Sequence, residues 1–270
     1  MIPFMHQARA CILLFLSLAT LPAHGIMIDL RLGDMSGSQQ NSFVQAADYW
    51  GNVLIGYRSN IVITDPIIIN ADIEYIDGVN GVLGSAGPTW IYSDVNGFTL
   101  TAEGDMRFDS SDIASLESNN MFDDVILHEM AHVLGLGTLW QANNVYVPGS
   151  GQYTGAYALA QWQIEFNQPG ATFVPVELDG GQGTAGGHWN ENLGGGGATG
   201  IVDLNGNDIA FELMTGWLNS PSYISDTTLM SFADIGYQVA PIPLPAAGYL
   251  LFSALAGLSI FKKRLPHHSE

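Results

Sequence analysis

The sequence has 270 residues, one cysteine and a formal net charge of −19, from 7 Lys and Arg against 26 Asp and Glu. Only Arg31, Arg58 and Arg107 are basic between positions 25 and 240, against 25 acidic residues, so this body carries −22. Such a surface repels phosphate backbones and anionic lipid headgroups, and we expect no nucleic-acid partner. Because Cys11 lies in an N-terminal apolar segment, the body has no disulfide, zinc finger or cysteine nucleophile.

The first 25 residues have the composition of a signal peptide. A weakly positive start with Arg9 precedes the apolar residues 11–18, and small residues follow at Ala23 and Gly25. Cleavage is expected after Gly25, and cleavage after Ala23 is nearly as favourable. A buried N-terminal helix is the alternative, and the apolar run is short for a membrane span.

Residues 26–238 predict a single α+β domain without internal repeats. Strands and helices come first, and an irregular, Gly-rich half follows the strongest helix. The predicted elements, in chain order, are a helix over 42–55, strands over 60–70 and 71–76, turns over 80–97, strands over 98–102 and 105–108, a polar segment with helical tendency over 110–118, the strongest helix over 123–136, a helix over 153–166, a Gly-rich loop over 179–200 and a helix over 227–235.

The strongest predicted helix carries the sequence HEMAH over 128–132. Residues i and i+4 lie on one side of an α-helix, so His128 and His132 can bind one zinc ion through their imidazoles. Glu129 lies one step round the helix, where it can reach a metal-bound water without being a ligand. The alternative is a solvated helix face, although only one other histidine exists in the body.

A third zinc ligand has to come from outside this helix. Gly135 favours a left-handed turn that folds the chain back towards the metal, but Thr138 stands three residues later, where the compact metzincin pattern has histidine. His188, in the Gly-rich loop, is the remaining imidazole of the body. Glu165 and Glu191 are rival ligands, and a loop histidine packed on its neighbouring tryptophan is the non-functional alternative for His188.

Three segments in this order, HEMAHVLGLGTLW (128–140), GGHWNE (186–191) and ELMTGW (212–217), resemble the leishmanolysin family of metzincin peptidases. The resemblance covers roughly residues 98–236 and implies a metzincin-like α+β fold, with an N-terminal twisted mixed sheet and helices that include the active-site helix. It also implies His128, His132 and His188 as zinc ligands, Glu129 as general base and Met214 as the Met-turn residue. The chain departs from the family in lacking a cysteine framework and in having Gly216 where several metzincins have tyrosine; Tyr223 is a substitute candidate.

The resemblance implies a zinc-dependent endopeptidase whose partners are protein or peptide substrates. An upper edge strand over 97–102 is expected to hold the substrate as an added strand. The alternative function is a non-catalytic exported surface or adhesion protein with a structural zinc site. The presence of Glu129 argues against it, because a structural site needs no base.

A second metal is suggested by DLNGND over 203–208, which resembles the start of a calcium loop through Asp203, Asn205, Asn207 and Asp208. An EF-hand would have glutamate at position 12 of this loop, where the chain has Met214. Ca²⁺ is therefore a candidate cofactor, with a solvated acidic turn as the favoured alternative.

The C-terminal residues 241–264 resemble a PEP-CTERM sorting tail of the VPLPA type, found in Gram-negative bacteria. A proline-rich break precedes the uncharged residues 246–261, and Lys262, Lys263 and Arg264 follow. The resemblance implies export, a transient inner-membrane anchor, removal of the tail by an exosortase and a secreted or surface-associated product. A permanent single-span anchor is the rival.

Overall fold

The computed structural model describes residues 25–58, 63–95, 97–191 and 198–241. These residues form a mixed α+β fold, as predicted. In chain order the elements are β1 (Ile28–Leu32), α1 (Gly37–Val53), β2 (Leu54–Tyr57), β3 (Ile67–Glu74), β4 (Gly84–Ser93), β5 (Thr99–Asp109), α2 (Ile113–Ser118), α3 (Phe122–Val133), β6 (Gln152–Tyr153), α4 (Ala156–Glu165), β7 (Val174–Pro175), a 3-10 turn (Ile209–Phe211), α5 (Asp226–Asp234) and β8 (Tyr237–Val239).

The main sheet is twisted and mixed, with strand order β1-β3-β5-β4. The first three strands are parallel, and β4 runs antiparallel to β5 at the edge. The β-branched run at the start of β3 favours a strand, and Ile67 and Ile69 of this run are buried. Because β5 lies between two neighbours, it is buried over most of its length.

Helices α1 and α3 pack on one another and against this sheet. Phe43 of α1 makes edge-on ring contacts with Phe108 of β5 and Phe122 of α3, at centroid distances of 5.3 and 6.2 Å. The indole N–H of Trp50 donates to the Leu127 carbonyl oxygen at 3.2 Å, so α1 is fixed to the helix that carries the HEMAH sequence. The helix that carries the HEMAH sequence is therefore packed against the hydrophobic core.

Helices α4 and α5 run antiparallel and cap each other through two carboxylates, of which Glu165 is buried and Asp234 half-buried. Glu165, at the end of α4, accepts the backbone N–H groups of Asp226 and Thr227 at the start of α5. Asp234, at the end of α5, accepts the N–H groups of Tyr157 and Ala158 at the start of α4. Each helix thus supplies a partner for the unsatisfied N–H groups of the other.

Several predicted elements differ from those observed. The turn-rich segment over 80–97 is wrong, because residues 84–93 of it form strand β4. Pro88 is tolerated there since an edge strand has one row of unpaired backbone groups. The prediction of an edge strand over 97–102 is wrong for the same reason: those residues belong mostly to the interior strand β5, and β4 is the edge.

The boundaries of the other elements also changed. The helix predicted over 42–55 begins earlier, because Ser36 and Gln39 form a capping box, and it ends before Leu54, which starts β2. The two strands predicted over 60–76 are one strand over Ile67–Glu74, with residues 60–62 outside the described part of the chain. The strands predicted over 98–102 and 105–108 are likewise one strand.

The predicted signal peptide and sorting tail lie almost wholly outside the described residues. Within the described ranges, no helix is both long and apolar enough to cross a membrane.

Candidate metal centre

Two histidines of helix α3 lie together at the centre of the candidate site. The Nε2 atoms of His128 and His132 are 3.0 Å apart, as the i, i+4 spacing predicts. The helix ends at Val133, and Gly135 has φ +110°, a left-handed conformation that favours glycine. The predicted turn at Gly135 is therefore confirmed.

His188 completes the cluster from the Gly-rich loop. Its Nε2 lies 3.0 Å from the Nε2 of His128 and 3.0 Å from that of His132. The chain after α3 passes close to this loop, because a Cβ on Gly137 would lie 2.2 Å from the Gly187 carbonyl oxygen. A glycine at position 137 therefore permits the approach that brings His188 to the helix.

All three imidazoles are held in the same tautomer by backbone carbonyl groups. The Nδ1 atoms of His128, His132 and His188 lie 2.7, 2.9 and 2.9 Å from the carbonyl oxygens of Leu213, Leu136 and Thr184. A carbonyl oxygen only accepts hydrogen bonds, so each Nδ1 carries the proton. The three Nε2 atoms are therefore lone-pair donors that point at one another.

Burial keeps these rings uncharged. Burial, together with the neighbouring histidine in each case, lowers the pKa of His128, His132 and His188 to about 3. The hydrogen bonds from Nδ1 to the carbonyl groups oppose this shift and are outweighed. Neutral imidazole is the form that binds a metal ion.

The geometry of the cluster fits a divalent metal ion. Three unprotonated nitrogens at 3.0 Å cannot hydrogen-bond one another, so without a cation their lone pairs repel. A point equidistant from three atoms at this spacing and about 2.0–2.1 Å from each exists just outside their plane, and this is the bond length of zinc to imidazole. Within the described ranges, these histidines are the one group of three or more potential ligands close enough to share an ion.

Glu129 lies beside the histidines on α3 and is buried, with 6 % of its surface exposed. Strand β4 leaves space for it: a Cβ on Gly84 would lie 2.9 Å from the Cγ and from an Oε of Glu129. Burial raises the pKa of the Glu129 carboxyl to about 8. The missing side chain at position 84 therefore determines where this carboxyl can lie.

Met214 lies in a buried turn against the cluster. The turn is closed by a hydrogen bond of 3.3 Å from the Thr215 N–H to the Glu212 carbonyl oxygen. Leu213, which precedes Met214 in this turn, supplies the carbonyl oxygen that accepts the Nδ1–H of His128. Met214 itself is fully buried, and its carbonyl oxygen accepts the N–H of Trp189, which follows His188. The turn thus connects two of the histidines through the backbone.

A buried carboxylate supports this turn from the other side. Glu212 accepts hydrogen bonds from the Met214 N–H, from the N–H and hydroxyl of Ser225, and from the Thr228 hydroxyl. Burial raises the pKa of Glu212, and these donors partly offset the effect. Glu212 therefore fixes the turn to the start of helix α5.

The rival ligands lie elsewhere. Both carboxylate oxygens of Glu165 accept hydrogen bonds at the start of α5, and Glu191 is not part of the histidine group. Thr138, at the metzincin position for histidine, donates its hydroxyl proton to the His132 carbonyl oxygen at 2.6 Å. The Tyr223 hydroxyl is buried without a hydrogen-bond partner, and its role at the metal stays a prediction.

The segment over 203–208 forms a tight acidic turn. The Asp203 carboxylate accepts the N–H groups of Asn205 and Asn207 and the Asn207 side chain, and the Asp208 carboxylate caps the following 3-10 turn. These hydrogen bonds are those of a self-satisfied turn. A calcium ion at this position stays a prediction.

Sequence reasoning missed Gly84, Glu212 and the three carbonyl groups that orient the histidines. A carbonyl group carries no residue-specific signal, and Gly84 falls within the segment 80–97 that is predicted to form turns. Glu212 could have been identified from the sequence, because it directly precedes an apolar turn. A glutamate that is buried there needs hydrogen-bond donors around its carboxylate.

Comparisons with known proteins return no match: no family model fits this chain, and no curated protein is significantly similar to it.

Proposed function

We propose that this protein is a zinc-dependent endopeptidase of the leishmanolysin-like metzincin type, with Glu129 as general base. The observation that supports the proposal most directly is the set of three Nε2 atoms at 3.0 Å beside a buried glutamate. Three neutral imidazoles are the ligand set of catalytic zinc sites that keep a position open for water. The class of peptidase rests on the motif order, which is a resemblance.

The chemistry divides between the metal and the protein. His128, His132 and His188 would hold a zinc ion, which would supply a water molecule of lowered pKa and a polarised substrate carbonyl group. Glu129, next to His128 on the same helix, would accept a proton from water on a carboxylate oxygen. The same carboxyl then returns the proton to the leaving amine nitrogen, so that one water and one peptide bond yield a carboxylic acid and an amine.

We expect a peptide substrate to bind along strand β4. Within the described ranges it pairs only with β5, so its outer row of N–H and C=O groups has no partner strand. An extended peptide can add to such an edge through backbone hydrogen bonds. Gly84, at the start of the strand, lies against Glu129, so a peptide on this edge passes the proposed base.

The proposal is tested by zinc content and peptide cleavage measured on the same preparations. Glu129→Ala should keep one zinc per chain and lose cleavage of casein or a peptide library, whereas His188→Ala should lose zinc. Cleavage retained by Glu129→Ala refutes the proposed base. A zinc-loaded wild-type protein without turnover supports the alternative, a surface protein with a structural zinc site.

We further propose that the enzyme is exported and that its C-terminal tail, over 241–264, is processed by an exosortase after transient inner-membrane insertion. The support is the order of proline-rich break, apolar segment and basic cluster in the sequence. C-terminal mass spectrometry of the native protein should find no residues from about 246 onward. A mature protein that still ends in Lys262–Arg264 and beyond indicates a permanent anchor.

A further inference from the structure

A second site is indicated by an unpartnered carboxylate close to the histidine cluster. Glu191 is fully buried, with 0 % of its surface exposed, and neither of its carboxylate oxygens has a hydrogen-bond partner of normal geometry. An unpaired buried charge is strongly unfavourable, so such a group requires a cation or a proton.

A second buried carboxylate, that of Glu177, lies near enough to Glu191 to repel its charge. Glu177 is 3 % exposed, and one of its oxygens accepts the Asp179 N–H. Burial raises the pKa of Glu191 and the Glu177 carboxyl raises it further, while the nearby N–H groups of Glu191 and Gly216 offset part of this. Two carboxylates in one buried place concentrate up to two negative charges.

The protein itself offers no positive charge for this pair in its described part. The three arginines of the described ranges are engaged elsewhere: Arg31 with Asp29, Arg107 with Glu74, and Arg58 with the Ala233 carbonyl oxygen and Tyr157. Lysine is absent from the described ranges, and the three histidines there are the neutral metal cluster.

We propose that Glu177 and Glu191 bind a calcium ion. Two carboxylates neutralise a divalent cation, and hard oxygen donors select Ca²⁺ or Mg²⁺ over softer metals. Calcium tolerates irregular coordination by carboxylates, backbone carbonyls and water, whereas Mg²⁺ demands a near-ideal octahedron. The nearby Gly-rich residues 180–187 form irregular turns, which suit the more permissive ion. The site is separate from the histidine cluster and from the acidic turn over 203–208.

An ion at this position would brace the third histidine. The Glu177 N–H donates to the His188 carbonyl oxygen at 2.9 Å, and the Gly186 N–H donates to the Glu177 carbonyl oxygen at 2.7 Å. Glu177 and Glu191 thus lie on either side of the segment that presents His188. Fixing both carboxylates to one ion restrains this loop, so calcium should tighten zinc binding without taking part in the chemistry.

The experiment uses the full chain, stripped of metal and reloaded with one equivalent of zinc. Equilibrium dialysis against Ca²⁺ and thermal unfolding with and without Ca²⁺ are measured on the wild type, Glu191→Gln and Glu177→Gln. Asp203→Asn is the matched control for the acidic turn. Far-ultraviolet circular dichroism and zinc content verify that each variant is folded.

The wild type should bind one Ca²⁺ at millimolar or lower concentration and melt several degrees higher with it. Both Gln variants should bind Ca²⁺ at least tenfold more weakly, and Asp203→Asn should match the wild type. In the absence of calcium, Glu191→Gln should melt above the wild type, because it removes an unpaired buried charge.

Three results would overturn the proposal. Calcium binding that survives in both Gln variants places the ion elsewhere, and loss of binding in Asp203→Asn places it in the acidic turn. A wild type that binds no calcium, with a melting temperature that falls as pH rises, indicates a shared proton between Glu177 and Glu191 instead.

Discussion

Replacing Gly84 by alanine should displace the proposed general base while leaving the fold intact. The added Cβ would lie 2.9 Å from Cγ and from an Oε of Glu129, whereas ordinary carbon contacts are about 3.5–4.0 Å. The Glu129 side chain must therefore move by about 0.6–1 Å. Misplacing a catalytic group by about 1 Å costs on the order of 10²-fold, so we expect kcat/KM to fall about 10- to 100-fold.

The same substitution should cost little stability, because the atoms it meets are at the flexible end of a side chain. The free energy of unfolding should change by less than about 1 kcal/mol, since alanine in a strand is favoured over glycine by about that amount. Gly87→Ala is the control: its Cβ meets only the Thr138 methyl, at 3.7 Å. Kinetics with a fluorogenic peptide, zinc content and urea unfolding test both variants. Equal activity of the two variants would refute this placement of Glu129.

Three further predictions concern the buried carboxylates. Burial raises the pKa of Glu165 from 4.5 to about 7, so folding disfavours its charge. The contribution of Glu165 to the free energy of unfolding should therefore be complete below pH 4.5. It should fall by up to about 3 kcal/mol as the pH rises through about 7. Urea unfolding of the wild type and Glu165→Gln at pH 5 and pH 8 checks this, and a difference in stability between the two proteins that does not change with pH contradicts it. Glu212→Gln should destabilise the protein by about 2–4 kcal/mol in urea unfolding, since an amide cannot accept all four hydrogen bonds; an unchanged unfolding midpoint contradicts it. Asp109 accepts the N–H groups of Asp77 and Gly78 ahead of β4, so Asp109→Ala should speed hydrogen exchange there and leave α3 protected; uniform loss of protection would indicate global destabilisation instead.

The sequence predicted the metal cluster better than the sheet, for a physical reason. His128 and His132 share one helix, and the 3.6-residue period alone brings them together. His188 could be proposed because no other imidazole existed in the body. Its position depends on the turn after α3, where Gly137 passes against Gly187. This close approach is tertiary, and no local pattern reports it.

The structure has strand β4 where the sequence predicts turns, because two glycines of the sheet, Gly84 and Gly104, are required by packing. Gly84 makes room for Glu129, and a Cβ on Gly104 of the neighbouring strand would meet Val133 at 2.6 Å. Read locally, Gly84, Gly87 and Pro88 indicate turns. In the folded chain, Gly84 instead lies in an edge strand whose backbone comes close to Glu129 of helix α3. The position where local sequence patterns fail to predict the structure, Gly84, therefore lies beside the candidate site.

The most direct test of the central claim is a zinc titration of the metal-free protein with peptide cleavage followed at each addition. Cleavage should rise linearly with zinc and level off at one equivalent, and Glu129→Gln should bind the same single equivalent while showing no cleavage at any point. Cleavage that is independent of zinc, or that Glu129→Gln supports as well as the wild type, would contradict the assignment of a zinc peptidase centred on His128, His132, His188 and Glu129.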